Sequence, residues 1–167
     1  MIAIRGDELR KGVEWLDLNW LSERNQREAR SAWWAMGDIE GCVGDSILDT
    51  PGTVATTNQD RIDWLFDNGA YDLPNERRPN CHKSGTTYTA VYGRMDPDRP
   101  APTITSGFGT PGQGRYIHPT QRRLITPREA ARLQGFPSSY NFLPEGREPL
   151  RREVTKWIGD AVPAILG

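Results

Sequence analysis

Few side chains in this sequence could act as nucleophiles or metal ligands: two cysteines, Cys42 and Cys81, and two histidines, His82 and His118. The cysteines lie far apart without CxxC spacing, and two histidines do not complete a zinc pattern, so no metal site is expected. Both thiols are expected to be free, in a reducing cytoplasm. Arginine carries more of the chemistry. Between residues 77 and 132 stand ten basic residues: Arg77, Arg78, Lys83, Arg94, Arg99, Arg115, Arg122, Arg123, Arg128 and Arg132. Only Asp96, Asp98 and Glu129 oppose them, which gives this stretch a net charge of +7, while the remainder of the chain carries −8 and the total is −1. An acidic protein with one basic stretch is what a localised phosphate-binding surface looks like, because Lys and Arg gain by releasing counterions from a nucleic-acid backbone. The same charge pattern also fits a solvated, arginine-rich loop region.

The elements that must hold these side chains can be read from periodicity and caps. Residues 22 to 36 suggest a helix, with Ser22 as N-cap, good helix formers from residue 23 to 30, and Ala32, Trp33 and Met36 on an apolar face before Gly37. A second helix is expected after Thr57, where Thr57 and Asp60 have cap spacing and Ile62, Leu65 and Phe66 recur at helical intervals as far as Asn68-Gly69. From residue 85 to 119 the composition changes. TTYTAVYG and APTITSG are rich in Thr, Tyr, Val and Ile, and Gly and Pro punctuate the rest, which reads as short strands and long loops. The loop SGFGTPGQG within it lets backbone approach a ligand closely or simply makes tight turns.

Thr126-Pro127-Arg128-Glu129 is a clear helix start, with Thr126 as cap, Pro127 at the first helical position and Glu129 able to close a capping box. Gly135 and Phe136-Pro137 end that helix. Near the C-terminus, Val154, Trp157, Ile158, Val162, Ile165 and Leu166 are apolar positions around a Gly159-Asp160 break, with Asp160 able to cap a final short helix that has Pro163 early in its turn. A short strand is expected over residues 1 to 6, from the alternation of Ile2 and Ile4.

At 167 residues with 36 % hydrophobic and 26 % charged residues, the chain is long enough for one soluble domain with an appendage, not for a two-domain enzyme. Its 17 Gly and 13 Pro make that domain rich in turns. No run approaches the roughly 20 apolar residues of a membrane span, and nothing suggests export, so a cytoplasmic location away from membranes is expected.

Three blocks in order decide the reading: YGRMDPDRPAPTIT (residues 92 to 105), RRLITPREAARLQGFPSSY (residues 122 to 140) and KWIGDAVPAILG (residues 156 to 167). Together they resemble the C-terminal part of DNA (cytosine-5) methyltransferases, in which a target-recognition region with a Thr-Ile or Thr-Leu pair precedes TPREAARLQGFP and IGNAVP blocks. The second block is highly specific. SAWWAMGDIEG and DLPNERRPNCHK extend the resemblance more weakly upstream, so that it covers roughly residues 30 to 167, and MIAIRG is similar to the remains of the strand that carries the family's preceding motif. The Gly-rich block that binds S-adenosylmethionine, the Pro-Cys block with the nucleophile and the Glu-Asn-Val block do not occur in this sequence. Neither cysteine follows a proline, and no residue here is expected to be catalytic.

The resemblance implies an α+β fold, a small recognition domain of short twisted strands and long loops whose terminal elements complete an α/β Rossmann-like methyltransferase domain lying elsewhere. It divides the chain into residues 1–30, a remnant or linker; 31–150, the target-recognition domain; and 151–167, a segment docking on the catalytic domain. A base inside a duplex is unreachable, so such enzymes extrude it, and recognition is separable from chemistry. By resemblance, Thr103 and Ile104 contact the DNA backbone near the flipped nucleotide, with Thr105 beside them. Arg94 and Arg115, each next to a glycine, are the basic residues expected on DNA, whereas Arg122, Arg123, Arg128 and Arg132 are expected in structural salt bridges. Asp160 and Ala161 match the cofactor-side block. However, Asp160 stands where the family has Asn and exchanges a donor amide for an anionic acceptor, so S-adenosyl-L-methionine is expected only in complex with the catalytic half. The expected partners are double-stranded DNA and that catalytic half, or another copy of the chain docking on Trp157, Ile158, Val162, Ile165 and Leu166, with Trp15, Trp20, Trp33 and Trp34 able to extend the patch. The alternative is a non-catalytic DNA-binding or interaction protein derived from such an enzyme.

Overall fold

The protein is described by a computed structural model that covers residues 29–42, 44–85, 88 and 90–163. Four α-helices form among the described residues: α1 (Ala32–Met36), α2 (Thr56–Asp67), α3 (Pro127–Leu133) and α4 (Arg151–Gly159). Single 3-10 turns occur at Gly37–Ile39, Asn75–Arg77, Asn80–His82 and Pro111–Gln113. No helix among the described residues is long and apolar enough to cross a membrane.

Among the described residues the α+β arrangement expected from the sequence does not form. Among the described residues there is no strand, only isolated bridges that pair Ile117 with Arg94 on one side and with Leu124 on the other. Thr, Tyr and Ile favour a pleated surface, but a ladder needs consecutive donors. Pro97, Pro100, Pro102, Pro111 and Pro119 each lack a backbone N–H, so pairing ends after one rung. Long connections therefore wrap the helices, held by single backbone bonds such as Met95 N to Ile117 O (2.9 Å) and Ile125 N to Tyr116 O (3.0 Å).

Helix α3 is the hub and packs on both α1 and α4. Its start is local chemistry: Thr126 Oγ1 accepts from Glu129 N (3.2 Å) and Glu129 Oε2 accepts from Thr126 N (2.7 Å), the reciprocal capping box the sequence predicts. Ala130 and Ala131 keep the helix thin enough to lie inside a core that includes Met36, Ile104, Phe108, Tyr116, Ile117, Leu124, Val154 and Ile158. Gly135, at φ 81°, takes the left-handed conformation that ends the α3 turn.

The other helices depart from expectation in their starts. Helix α2 begins at Thr56 with Ala55 as N-cap and no side-chain cap bond, so Thr57 lies inside the helix. Of the predicted 22–36 helix, only Ala32–Met36 is helical among the described residues. Ser31 caps it, accepting from Trp34 N at 3.2 Å, and its first N–H groups donate to the carbonyls of Arg99 (2.8 Å) and Pro97 (3.0 Å). Ser22, the strand expected at residues 1 to 6, and Trp15, Trp20, Ile165 and Leu166 lie outside the described residues. Asp160 closes α4 as its C-cap, and the short helix expected after it is not present as far as Pro163.

Candidate nucleic-acid interface

The basic stretch between residues 77 and 132 carries the expectation of a phosphate surface. Much of its charge is already matched within the chain. Arg115 pairs with Asp72 (2.6 Å), Arg122 with Asp67 (2.5 Å) and Asp63 (3.5 Å), and Arg132 with Asp38 (3.0 Å). Arg128 grips Asp49 with two nitrogens, Nη2 at 2.9 Å. The carboxylates come from the acidic remainder of the chain, so the opposite excesses of the sequence meet in space. The expected structural role of Arg122, Arg123, Arg128 and Arg132 is what these contacts provide.

Arg123 serves the most buried of these pairs. It donates to both oxygens of Glu129, at 2.8 and 2.7 Å, while the 2 % exposed Glu129 also caps α3. His118 is fully buried alongside. Its Nδ1 accepts from the backbone N–H groups of Thr120 (3.2 Å) and Gln121 (3.1 Å), which leaves the ring proton on Nε2, 3.3 Å from Glu129 Oε1. Burial pushes the Glu129 carboxyl up, but hydrogen bonds from Arg123 and the Thr126 backbone, with the His118 ring nitrogen close by, reverse this and hold it at about 2.

The three sequence blocks meet at one side chain that the sequence reading did not single out. Gln134, 8 % exposed, lies one residue beyond α3 and points its amide nitrogen at the carbonyls of Ile158 (3.0 Å), Ile104 (3.3 Å) and Ala161 (3.3 Å). The same junction is closed by Gly159, because a Cβ there would sit 2.1 Å from Ser106 N and 2.3 Å from the Thr105 carbonyl carbon. The end of α4 thus lies backbone to backbone on residues 105 and 106. Beside this junction an open groove of about 760 Å³ runs between Thr103, Gln134, Ala161 and Trp34. Arg30 stacks on Trp34 at 3.9 Å.

The five residues expected at DNA are differently placed. Thr103 is exposed, and its hydroxyl makes no hydrogen bond among the described residues. Ile104 is 4 % exposed and belongs to the core. The Tyr116 hydroxyl donates to Thr103 O (3.0 Å), so Thr105 Oγ1, 3.1 Å away, acts as donor to it and accepts from Gly107 N (3.3 Å). Arg94 donates from Nε to Pro119 O (2.8 Å) with its guanidinium 4.1 Å from the Phe66 ring centre. Besides Asp72, Arg115 reaches the carbonyls of Tyr71 (2.9 Å) and Arg94 (3.1 Å). The two arginines therefore brace one another.

In the last block, two acceptors are engaged within the chain. The Asp160 carboxylate is held by Lys156 and the Ala161 carbonyl by Gln134. Beside them Trp157 is 39 % and Val162 71 % exposed, whereas Ile158 is buried. Both cysteines are exposed free thiols, and among the described residues no cluster of His, Cys, Asp or Glu could hold a metal.

Two kinds of comparison bear on this arrangement. The family model described as C-5 cytosine-specific DNA methylase matches residues 24–166. Type II methyltransferase M1.BsuMI of Bacillus subtilis (strain 168) is 45 % identical over 150 residues, which are 89 % of this chain and 34 % of that protein. Type II methylase M.HgiDII of Herpetosiphon aurantiacus is 45 % identical over 127 residues, 74 % of this chain and 35 % of that protein. The chain thus spans about a third of the length of these two relatives. Type II methyltransferase M.AquIB of Picosynechococcus sp. is 36 % identical over 86 residues, which make up 59 % of it, so that relative is itself a short chain.

Proposed function

The chain belongs to the C-5 cytosine-specific DNA methylase family, and we propose that these residues form its target-recognition and C-terminal part, which positions double-stranded DNA for methyl transfer carried out by residues outside them. The observation that supports this most is the junction at Gln134, which draws the Thr103–Thr105 segment, the TPREAARLQGFP helix and the end of α4 together. That junction ties together segments otherwise linked by loops, as a DNA-reading surface requires. The nucleophile and the cofactor-binding block come from chain beyond these 167 residues, joined covalently or supplied as a separate catalytic half. Residues 31–150 are the recognition unit in this reading, and residues 151–167 dock on the catalytic half through Trp157 and Val162.

Arg94, Thr103, Ile104, Thr105 and Arg115 form the proposed DNA-facing segment. Ile104 contributes by anchoring Thr103, whose hydroxyl reaches phosphate, beside Thr105, and Arg115 by bracing Arg94. Asp160 and Ala161 face the cofactor side only once the catalytic half is bound.

Binding of mixed-sequence duplex DNA, titrated from 50 to 200 mM NaCl, tests the proposal. Each phosphate contact contributes about 0.9 to the slope of log K against log salt. Thr103→Val and Arg94→Gln should weaken binding, and Arg94→Gln should lower the slope by about one. Salt-insensitive binding, or no effect of either change, would count against DNA recognition at this segment.

A further inference from the structure

Among the described residues Tyr92 is the one non-glycine residue with positive φ, at 58°. A side chain in this left-handed region persists only where its surroundings hold it, and four segments do so. Its N–H donates to Pro111 O at 2.7 Å, and its hydroxyl and Cζ lie 2.9 and 3.2 Å from where a Cβ on Gly112 would stand. The Arg61 guanidinium of α2 lies 5.5 Å from the ring centre, and the His82 ring meets it edge-on at 6.5 Å. The chain continues through Gly93, whose carbonyl accepts from Ile117 N (3.3 Å) and whose Cα lets the Arg115 side chain pass close by. Tyr92 is thus wedged beneath the loop of residues 105 to 114. That loop folds back on itself, with Gln113 seated over Gly107, and exposes Thr105, Ser106, Thr110 and Gln113. These are short polar side chains able to meet base edges.

We infer that Tyr92 is a positioning residue for sequence discrimination: its strained backbone and ring fix the height of the 105–114 loop so that the exposed polar side chains reach the bases, while overall affinity comes from phosphate contacts. The inference rests on the DNA-recognition reading above. It needs no contact between Tyr92 and DNA.

The test uses the 167-residue chain, a randomised duplex pool to find the preferred sequence, and the ratio of affinities for preferred and mixed-sequence duplex. Tyr92→Phe keeps the ring and should hold that ratio within about twofold. Tyr92→Asn tolerates positive φ but removes the prop. It should cut the ratio by about tenfold, with affinity for mixed duplex within about threefold and Tm within a few degrees of wild type. Gly112→Ala drives a methyl group into the Tyr92 hydroxyl and should also lose discrimination, and adding Tyr92→Phe should restore part of it. This pair keeps the inference testable if Tyr92→Asn fails to fold. An unchanged ratio in both Tyr92→Asn and Gly112→Ala, or no restoration in the double variant, overturns the role of Tyr92 and leaves the DNA reading intact. A wild-type chain that binds no duplex overturns both.

Discussion

Replacing Gln134 by Leu keeps the volume at the three-block junction and removes the donors. The Gln134 amide carries two N–H groups and faces three carbonyls at 3.0 to 3.3 Å, two of them in fully buried hydrogen bonds. Each bond lost removes about 1 kcal/mol net, and a buried carbonyl left without a donor costs about 1–3 kcal/mol. With two buried acceptors stranded, partly relieved by the opening of α4, the loss comes to roughly 2–4 kcal/mol. For a domain of this size that corresponds to a fall in Tm of roughly 5–12 °C. Thermal unfolding followed by circular dichroism reads this directly, and Gln134→Glu gives the control. It preserves shape and length but turns an anionic acceptor toward three carbonyls, so it should be worse than Leu. A change in Tm below about 2 °C for Leu, or a Glu variant as stable as wild type, would refute the reasoning that the amide clasps the blocks together.

Further outcomes follow from the same geometry. Gly159→Ala places a methyl group on the Thr105–Ser106 backbone, where no side chain can give way. It should destabilise by at least about 3 kcal/mol and abolish DNA binding with it, measured by urea unfolding and anisotropy. The Glu129 carboxyl is held at about 2 against an ordinary 4.5, so its lowered pKa stabilises the fold above the ordinary value. About 3 kcal/mol of that stability should vanish as the pH falls from roughly 5 to 2. Urea midpoints in that window should fall steeply in wild type and less steeply in Glu129→Gln, which at neutral pH should already be destabilised because Arg123 loses its ionic partner. Parallel pH slopes in the two proteins would show that this cluster does not drive acid unfolding.

What could be read from the sequence was mostly what adjacent residues decide. The Thr126–Glu129 capping box needs only two side chains three positions apart, and it forms as expected. The structural use of Arg122, Arg123, Arg128 and Arg132 was also visible in outline, although their partners were not. Asp49 and Arg128 lie 79 positions apart, and no local pattern announces them. The strands failed for the opposite reason. APTITSG has the right propensities, but its pairing depends on donors that Pro100 and Pro102 lack, and tertiary contacts took over. Helix α2 starts at a residue without a capping side chain, so its boundary carried no signal. Gln134 carries no local motif that marks it. A polar residue placed four positions after buried Ala130 and directly before a glycine was the available hint that its amide turns inward.

In the function proposed above, these residues recognise DNA while the chemistry resides elsewhere. Methyl transfer from labelled S-adenosylmethionine to mixed-sequence duplex tests it most directly, with the 167-residue chain alone and then with a family segment carrying the Pro-Cys and cofactor-binding blocks. No label is expected with this chain alone, under conditions in which it binds DNA, and incorporation is expected when the two are combined. Robust transfer by the 167 residues alone would contradict that proposal.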